Sequence, residues 1–431
     1  MGGMSTLTAA ELTAVYTDLH AHPELAFAEH RTAGLVAERL GAAGYAVHER
    51  IGGTGVVGVL ANGDGPTVLL RADMDGLPVA ERTGLPYAST DTATLPDGHE
   101  TRTMHACGHD VHVTCLLGAA AHLAAHREEW SGTLQVLFQP AEEVGAGAAA
   151  MVEDGLYERV GTPDVVLGQH VMPLPVGTVN LTPGTAMAAA DSMRIVLHGK
   201  GGHGSSPEGA VDPVLMAAAT IQRLQGIVSR EVGAREAAVV TVGSVRAGTQ
   251  ANIIPDRAEL LVNVRTFDEA VRERVLAAIH RIVDAEAVAS GAPRSPEYEQ
   301  VSTFGPTVND PGAAARTGAA LERTLEARRT TIEAAGGRPA VVALPPLAGS
   351  EDVGELATAA GVPLVYWFLG GSDAALFEGF DPSTASMGNL PEAVAPNHSP
   401  FFAPVPAPTL ELGVDLLVAA AREWLGRQRP A

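Results

Sequence analysis

Apolar positions fall along this chain in two rhythms, a helical one of three to four residues and short unbroken runs, and the changes between them mark out its elements. Leu12, Val15, Tyr16 and Leu19 recur at helical spacing behind Thr8 and Glu11, which form a capping box, and Pro23 ends the predicted helix. A second helix is predicted from about Glu29 to Leu40. Three apolar runs follow, and each ends in polar residues. Residues 66–70 lead into Arg71-Ala72-Asp73-Met74-Asp75, residues 133–138 into Gln139-Pro140-Ala141-Glu142-Glu143, and residues 164–167 into Gly168-Gln169-His170. Helical patterns over 113–127 and the alanine-rich 146–156 separate them. Strand alternating with helix predicts a parallel sheet with both faces covered.

From about Met187 the texture changes. Strands are predicted over 191–197, 238–245 and 257–264, helices over 213–227 and 269–286, and a further strand over 297–302. That βαββα order suggests a smaller α+β domain inserted into the first. Past Asn309 the larger domain resumes with a helix over 312–335, a strand over 363–369 and a terminal amphipathic helix carrying Leu410, Leu412, Val414, Leu416, Leu417 and Leu425. The expected fold is α/β, a catalytic domain whose mostly parallel central sheet is flanked by helices (1–186 and 304–431), with the α+β insertion at 187–303.

Two glycine runs invite a nucleotide-binding reading and do not sustain it. Gly53-Thr54-Gly55-Val56-Val57-Gly58 has fingerprint spacing, but Val59-Leu60 and a turn at Asn62-Gly63-Asp64-Gly65 follow where a helix must open, so the run reads as part of a β-hairpin. After Gly199-Lys200-Gly201-Gly202-His203-Gly204, Pro207 and Pro213 interrupt any immediate helix. His20-Ala21-His22-Pro23 reads as a hydrogen-bonded corner, with metal ligation as the alternative.

Charge narrows the choice of partner. The formal net charge of −22, with Lys200 the sole lysine, argues against nucleic acid or an anionic membrane, though not against an anionic substrate met by arginine. Cys107 and Cys115 are the only cysteines, which fits a reducing interior. Residues 1–12 lack a basic stretch followed by an apolar core, and no apolar run reaches about 18 residues, so a cytoplasmic protein is expected.

The chemistry concentrates in Met104-His105-Ala106-Cys107-Gly108-His109-Asp110-Val111-His112. Thiolate, imidazole and carboxylate this close together are ligand types for a borderline-soft divalent cation. The alternative is a histidine-rich loop at a helix start, with Asp110 as the cap. Parallel sheets bind ligands beyond the carboxyl ends of their strands, which gathers Asp73, Asp75, Cys107, His109, Glu142, Glu143 and His170 at one edge. Adjacent Glu142 and Glu143 diverge, so one can hold a metal while the other faces a bound water, the arrangement for general-base hydrolysis. With His398 added, one thiolate, three imidazoles and one carboxylate exceed the needs of a single tetrahedral zinc and suit two ions sharing Cys107.

Those motifs, with Gly201-Gly202-His203-Gly204-Ser205-Ser206-Pro207, Asn252-Ile253-Ile254-Pro255, Gly349-Ser350-Glu351-Asp352 and His398-Ser399-Pro400, resemble the M20 metallopeptidase family over nearly the whole length. The nearest branch is that of the amidohydrolases, which includes hippurate hydrolase, N-acyl-amino-acid amidohydrolases and plant auxin-conjugate hydrolases. The resemblance implies two divalent ions per subunit (zinc, manganese or cobalt), held by Cys107 as the bridge, His109, Glu143, His170 and His398, with a hydroxide between them. It implies Glu142 as general base, Asp75 as the carboxylate that orients a ligand, and no ligand role for Asp73. His203 corresponds to a histidine that polarises the scissile carbonyl in a partner subunit, which makes the insertion a lid and a homodimer contact. Asn252 and Arg265 correspond to residues that hold the substrate carboxylate; on the residues alone Arg265 could equally pair with Glu259 or Asp268. Val353 departs from the phenylalanine usual after the Ser-Glu-Asp run. The implied reaction is amide hydrolysis of N-acyl-amino acids, with dipeptidase or carboxypeptidase action, or a non-catalytic metal-binding role, as the alternatives.

Overall fold

The computed structural model describes residues 6–95, 97–386 and 389–426, so residues 1–5 of the stretch read for a leader lie outside it. The Thr8 side chain accepts the Glu11 N–H and the Glu11 carboxylate accepts the Thr8 N–H, and this capping box opens the Ala9–Ala21 helix. Its buried face, Leu12, Val15, Tyr16 and Leu19, joins one large core with Leu116, Leu123, Val68, Leu70 and Leu417.

The chain divides into two units. The first comprises Met1–Ala186, Val308–Pro345 and Asp352–Ala431, and the second Met187–Thr307 with Pro346–Glu351. The first is built on an eight-stranded sheet in the order Ala46–Ile51, Gly55–Asn62, Gly132–Gln139, Thr67–Asp73, Val165–Pro175, Leu364–Ser372, Thr178–Asn180, Ala340–Val342. Thr67–Asp73 runs parallel to both its neighbours, and Leu364–Ser372 runs parallel to Val165–Pro175. The register sets Asp73 opposite Gln139 and Arg71 opposite Gly168, so two strands deliver their carboxyl ends to one edge while Val165–Pro175 runs on past them. These strands are buried along almost their whole length, the reason they read as unbroken apolar runs.

Local pattern misjudged three places. The glycine run does turn a hairpin, but with the preceding strand: Ala46–Ile51 pairs with Gly55–Asn62, which then lies against Gly132–Gln139 and not against the next strand in sequence. The helix expected from 113 begins at His109, and its N-cap is Gly108 at φ 84°, so Asp110 is not the cap but sits inside the first turn, where its carboxylate accepts the Val111 N–H at 2.9 Å. A Cβ on Gly108 would also lie 2.3 Å from Val171 Cγ1, which leaves glycine as the residue that fits. The helix expected over 312–335 is two, Pro311–Ala327 and Arg329–Ala334.

The second unit is a four-stranded antiparallel sheet in the order Ala238–Ala247, Arg257–Thr266, Ala189–His198, Glu297–Phe304. Helices Pro213–Arg230 and Glu269–Ala289 start at the side-chain caps Asp212 and Asp268. Ile195, Leu197, Leu260, Val262, Leu224 and Ile279 form its separate core. Among the described residues no helix is long and apolar enough to cross a membrane.

Candidate metal centre

Every group at this centre belongs to the first unit, and most leave the sheet at the same edge. His109 is fully buried in the first turn of its helix. Its Nε2 lies 3.7 Å from Asp73 Oδ2, 3.8 Å from Glu142 Oε2 and 3.8 Å from Glu143 Oε1, and hydrogen-bonds to none of them. Its Nδ1 lies 3.3 Å from Asp75 Oδ1, in contact but outside hydrogen-bond geometry. Glu143 Oε1 is likewise buried without a hydrogen bond. Leaving buried polar atoms unpaired costs on the order of 1–3 kcal/mol each, so two of them pointed at a common space are a ligand's signature.

His170 lies in the middle of Val165–Pro175, which runs on past the strand end expected there, with Nε2 3.4 Å from Cys107 Sγ, and its Nδ1–H donates to the Val171 carbonyl at 2.8 Å. That bond fixes the tautomer and leaves Nε2 as a lone-pair donor, the usual condition of a metal-binding imidazole. His398 Nε2 lies 3.4 Å from Glu143 Oε2, on a residue held at φ 68° whose N–H donates to the Ala106 carbonyl at 2.7 Å. Donor atoms of Cys107, His109 and His170 lie within 4.8 Å of one another, as do those of Cys107, Glu143 and His398, and those of His109, Glu142 and Glu143. Sulfur, nitrogen and oxygen donors around unpartnered buried atoms fit divalent transition cations, and Cys107 is common to two of the three groups.

Electrostatics explains which nearby groups are not free to bind. The Asp73 carboxylate accepts from Arg71 at 2.6 Å and from His112 Nδ1 at 2.5 Å. Burial disfavours its charge, but His109, His112 and Arg71 overcome that and hold the carboxyl well below the usual range. His112 Nε2 accepts the Val171 N–H at 2.7 Å, so both its nitrogens are committed and its proton sits on Nδ1. His112 was not singled out from the sequence; its spacing of three from His109 on one helix was the available signal. Arg71 also bonds Gln139 at 2.9 Å and Asp352 at 3.2 Å, which ties the strand ends to the start of the Val353–Ala360 helix, where Val353 is buried. Asp75 accepts the backbone N–H groups of Glu142 at 3.1 Å and Glu143 at 3.0 Å.

Behind the helix start, the His20 corner is hydrogen-bonded rather than ligating. His20 Nδ1 lies 2.6 Å from Asp110 and its Nε2 3.1 Å from Glu81, all three side chains fully buried. Burial pulls the imidazole pKa down, but the two carboxylates push it up to about 10. The unfolded reference is 6.5, so this stabilisation is complete below pH 6.5 and is lost as pH rises toward about 10. His20→Gln should therefore cost about 3–5 kcal/mol near pH 6 and progressively less at alkaline pH. Urea unfolding of the metal-free protein across that range measures it, and an equal loss at pH 6 and pH 10 would contradict the charge assignment.

In the second unit His203 is exposed on a two-residue ladder, Gly202–His203 against Ile253–Ile254, beside exposed Asn252. The Ser205 N–H donates to His203 Nδ1 at 3.2 Å, which leaves the proton of the neutral ring on Nε2. Arg265 bonds three neutral oxygens, Asn263 Oδ1 at 3.1 Å, the Ala348 carbonyl at 3.2 Å and Ser350 Oγ at 2.8 Å. Glu259, a partner considered for it, pairs with Arg194 instead at 2.5 Å, and Asp268 caps a helix.

Comparison with known proteins agrees with this chemistry. Residues 69–423 match Peptidase family M20/M25/M40. Hippurate hydrolase of Campylobacter jejuni is 45% identical over 65% of this chain and 70% of its own. N-acetylcysteine deacetylase of Bacillus subtilis is 39% identical over 70% of this chain and 78% of its own. The crystal structure of the Bacillus subtilis YXEP protein, described as a dinuclear metal binding peptidase from the M20 family, superposes with a TM-score of 0.72 at 28% identity, covering 96% of this chain and 97% of that one. With its family match spanning most of its length and relatives of these activities, the chain belongs to peptidase family M20/M25/M40 and is a hydrolase of the amidohydrolase branch.

Proposed function

We propose that this enzyme hydrolyses the amide bond of N-acyl-amino acids, releasing a carboxylic acid and a free amino acid. The observation that carries this is the arrangement of Glu142 beside unpartnered His109 Nε2 and Glu143 Oε1 at the edge where the parallel strands Thr67–Asp73 and Gly132–Gln139 end. Cys107, His109, Glu143, His170 and His398 would hold two divalent ions, zinc, manganese or cobalt, with Cys107 in both shells. When bound, such ions supply Lewis acidity to the amide carbonyl and acidify a water.

The remaining work falls to the chain's own side chains. Glu142 is buried, and the hydrogen bond from its N–H to Asp75 fixes the backbone that presents it. It takes the proton of the attacking water and delivers it to the departing nitrogen as the C–N bond breaks. His203, with Nε2–H as its free donor, is suited to the carbonyl oxygen as negative charge develops there. Arg265 keeps its full charge among neutral partners, as recognition of a substrate carboxylate requires, with Asn252 alongside in this role. The two free, buried cysteines support a cytoplasmic enzyme. Hippurate hydrolysis and N-acetylcysteine deacetylation by the relatives above support the substrate class.

A screen of N-benzoyl, N-acetyl and indole-acetyl amino acids against simple dipeptides, with each metal, tests the proposal. Faster cleavage of dipeptides than of every acyl substrate would overturn it. The inserted unit is proposed as a lid and homodimer contact through which His203 acts on the partner's site. Mixing inactive His203→Ala and Glu142→Ala subunits should then restore about a quarter of wild-type activity, the share expected when random pairing assembles one complete site in half the dimers. No recovery would assign His203 to its own subunit.

A further inference from the structure

The corner before His30 and the glycine run at 52–55 are left over by the chemistry above. Glu29 joins both to it. Its carboxylate is fully buried, and Oε1 accepts two backbone N–H groups, Phe27 at 2.9 Å and Ala141 at 2.9 Å. Oε2 accepts the Thr54 hydroxyl at 2.5 Å. Phe27 and Ala141 share an uncommon property: both are non-glycine residues in the left-handed region, at φ 61° and 50°. Side chains with a Cβ avoid that region unless the surroundings over-determine it, and such residues collect at functional sites. One carboxylate oxygen therefore secures two left-handed turns at once.

The second of these turns is where the Gly132–Gln139 strand gives way to Glu142 and Glu143. The N–H groups of those two residues go to Asp75, so three consecutive amides, 141 to 143, are held by two buried carboxylates. The glycine run braces Glu29 from behind. Gly52, at φ 64°, brings its backbone so close that a Cβ would lie 2.5 Å from the Met151 nitrogen, and its N–H donates to Asp154 at 3.1 Å. Thr54 follows in the same turn and reaches Glu29. The run that imitates a dinucleotide fingerprint thus packs against the helix that follows the Glu142 loop.

We infer that Glu29 is a positioning residue of the hydrolytic site: through the Ala141 N–H it sets the direction in which Glu142 and Glu143 leave the strand, with Thr54 holding Glu29 in place. The inference rests on the base role proposed for Glu142. The requirement is for acceptors in fixed places and not for negative charge. A glutamine can accept both amides through its oxygen and donate its NH2 to Thr54 Oγ1, whereas alanine can do neither.

Glu29→Ala, Glu29→Gln and Thr54→Val, loaded with metal and assayed on hippurate, test this together with amide hydrogen exchange of residues 140–146 in the metal-free proteins. Glu29→Ala should lower kcat by about 100-fold, the scale of an ångström-sized misplacement, with KM little changed. Exchange across 141–143 should quicken in the same variant. Glu29→Gln should stay near wild type on both readouts, and Thr54→Val should lower kcat alone, by about tenfold. Wild-type kcat in Glu29→Ala, or equal losses in the Gln and Ala variants, would overturn the inference. Should Glu29→Ala fail to fold, the other two variants decide: wild-type kcat in Thr54→Val or a Glu29→Gln as slow as a base variant refutes it. A wild-type enzyme that cleaves no acyl-amino acid would remove the proposed function instead, and exchange in Glu29→Ala would still report whether Glu29 holds the turn, an unchanged rate refuting that.

Discussion

Glu142→Gln should abolish all but a trace of turnover, a loss of about 10²–10⁴-fold in kcat, while the protein keeps its bound metal. The expectation separates two adjacent carboxylates by what each touches. Glu143 supplies an unpartnered buried oxygen, and its other oxygen lies 3.4 Å from His398. Glu142 Oε2 stands 3.8 Å from His109 Nε2, too far for a hydrogen bond and near enough for one water alongside to touch both. Glutamine keeps the volume and leaves the backbone N–H that Asp75 accepts, so the fold and the metal complement should survive. Elemental analysis beside steady-state kinetics on hippurate checks both halves. Turnover within a few-fold of wild type would remove Glu142 from the chemistry.

The second large effect belongs to Cys107. Its sulfur is shared by the group with His109 and His170 and by the group with Glu143 and His398, so its removal should weaken both shells at once. Cys107→Ala should lose metal under dialysis and fall in kcat by more than about 10³-fold, the rate equivalent of several kcal/mol of lost charge stabilisation. Cys115→Ala is the matched control. That thiol is buried in the helix that follows Cys107, faces the Leu410 carbonyl at 3.6 Å, and burial pushes its pKa up, which marks it as core. Its loss should lower stability and leave the metal content intact. A full metal complement in Cys107→Ala would contradict the shared-ligand assignment.

The parallel strands were legible because each is buried on both faces and so writes itself as an apolar run; two stop at Asp73 and Gln139, while Val165–Pro175 runs on through Gly168-Gln169-His170, where the sequence suggested an end. The alternating burial of Arg257–Thr266 made that strand of the second unit equally plain. Three-residue strands such as Thr178–Asn180 and Ala340–Val342 carry too few positions to show a period. The glycine run turns a hairpin as expected, but its partner strand was misjudged, since pairing order depends on which strands meet and not on local composition.

Residue types and their spacing, then, pointed by themselves to a thiolate, imidazoles and paired carboxylates gathered at one edge of the sheet. Periodicity and turn chemistry act over a few neighbouring positions, and the sequence records them directly. Only the tertiary structure decided how those groups are committed. Asp73 is hydrogen-bonded by Arg71 and His112, His20 is clamped between Asp110 and Glu81, and Glu29 reaches across 112 positions to the Ala141 amide. Each of these is a through-space pairing of buried polar groups. A buried charge or amide must find a partner wherever the fold brings one, and no local pattern states where that is.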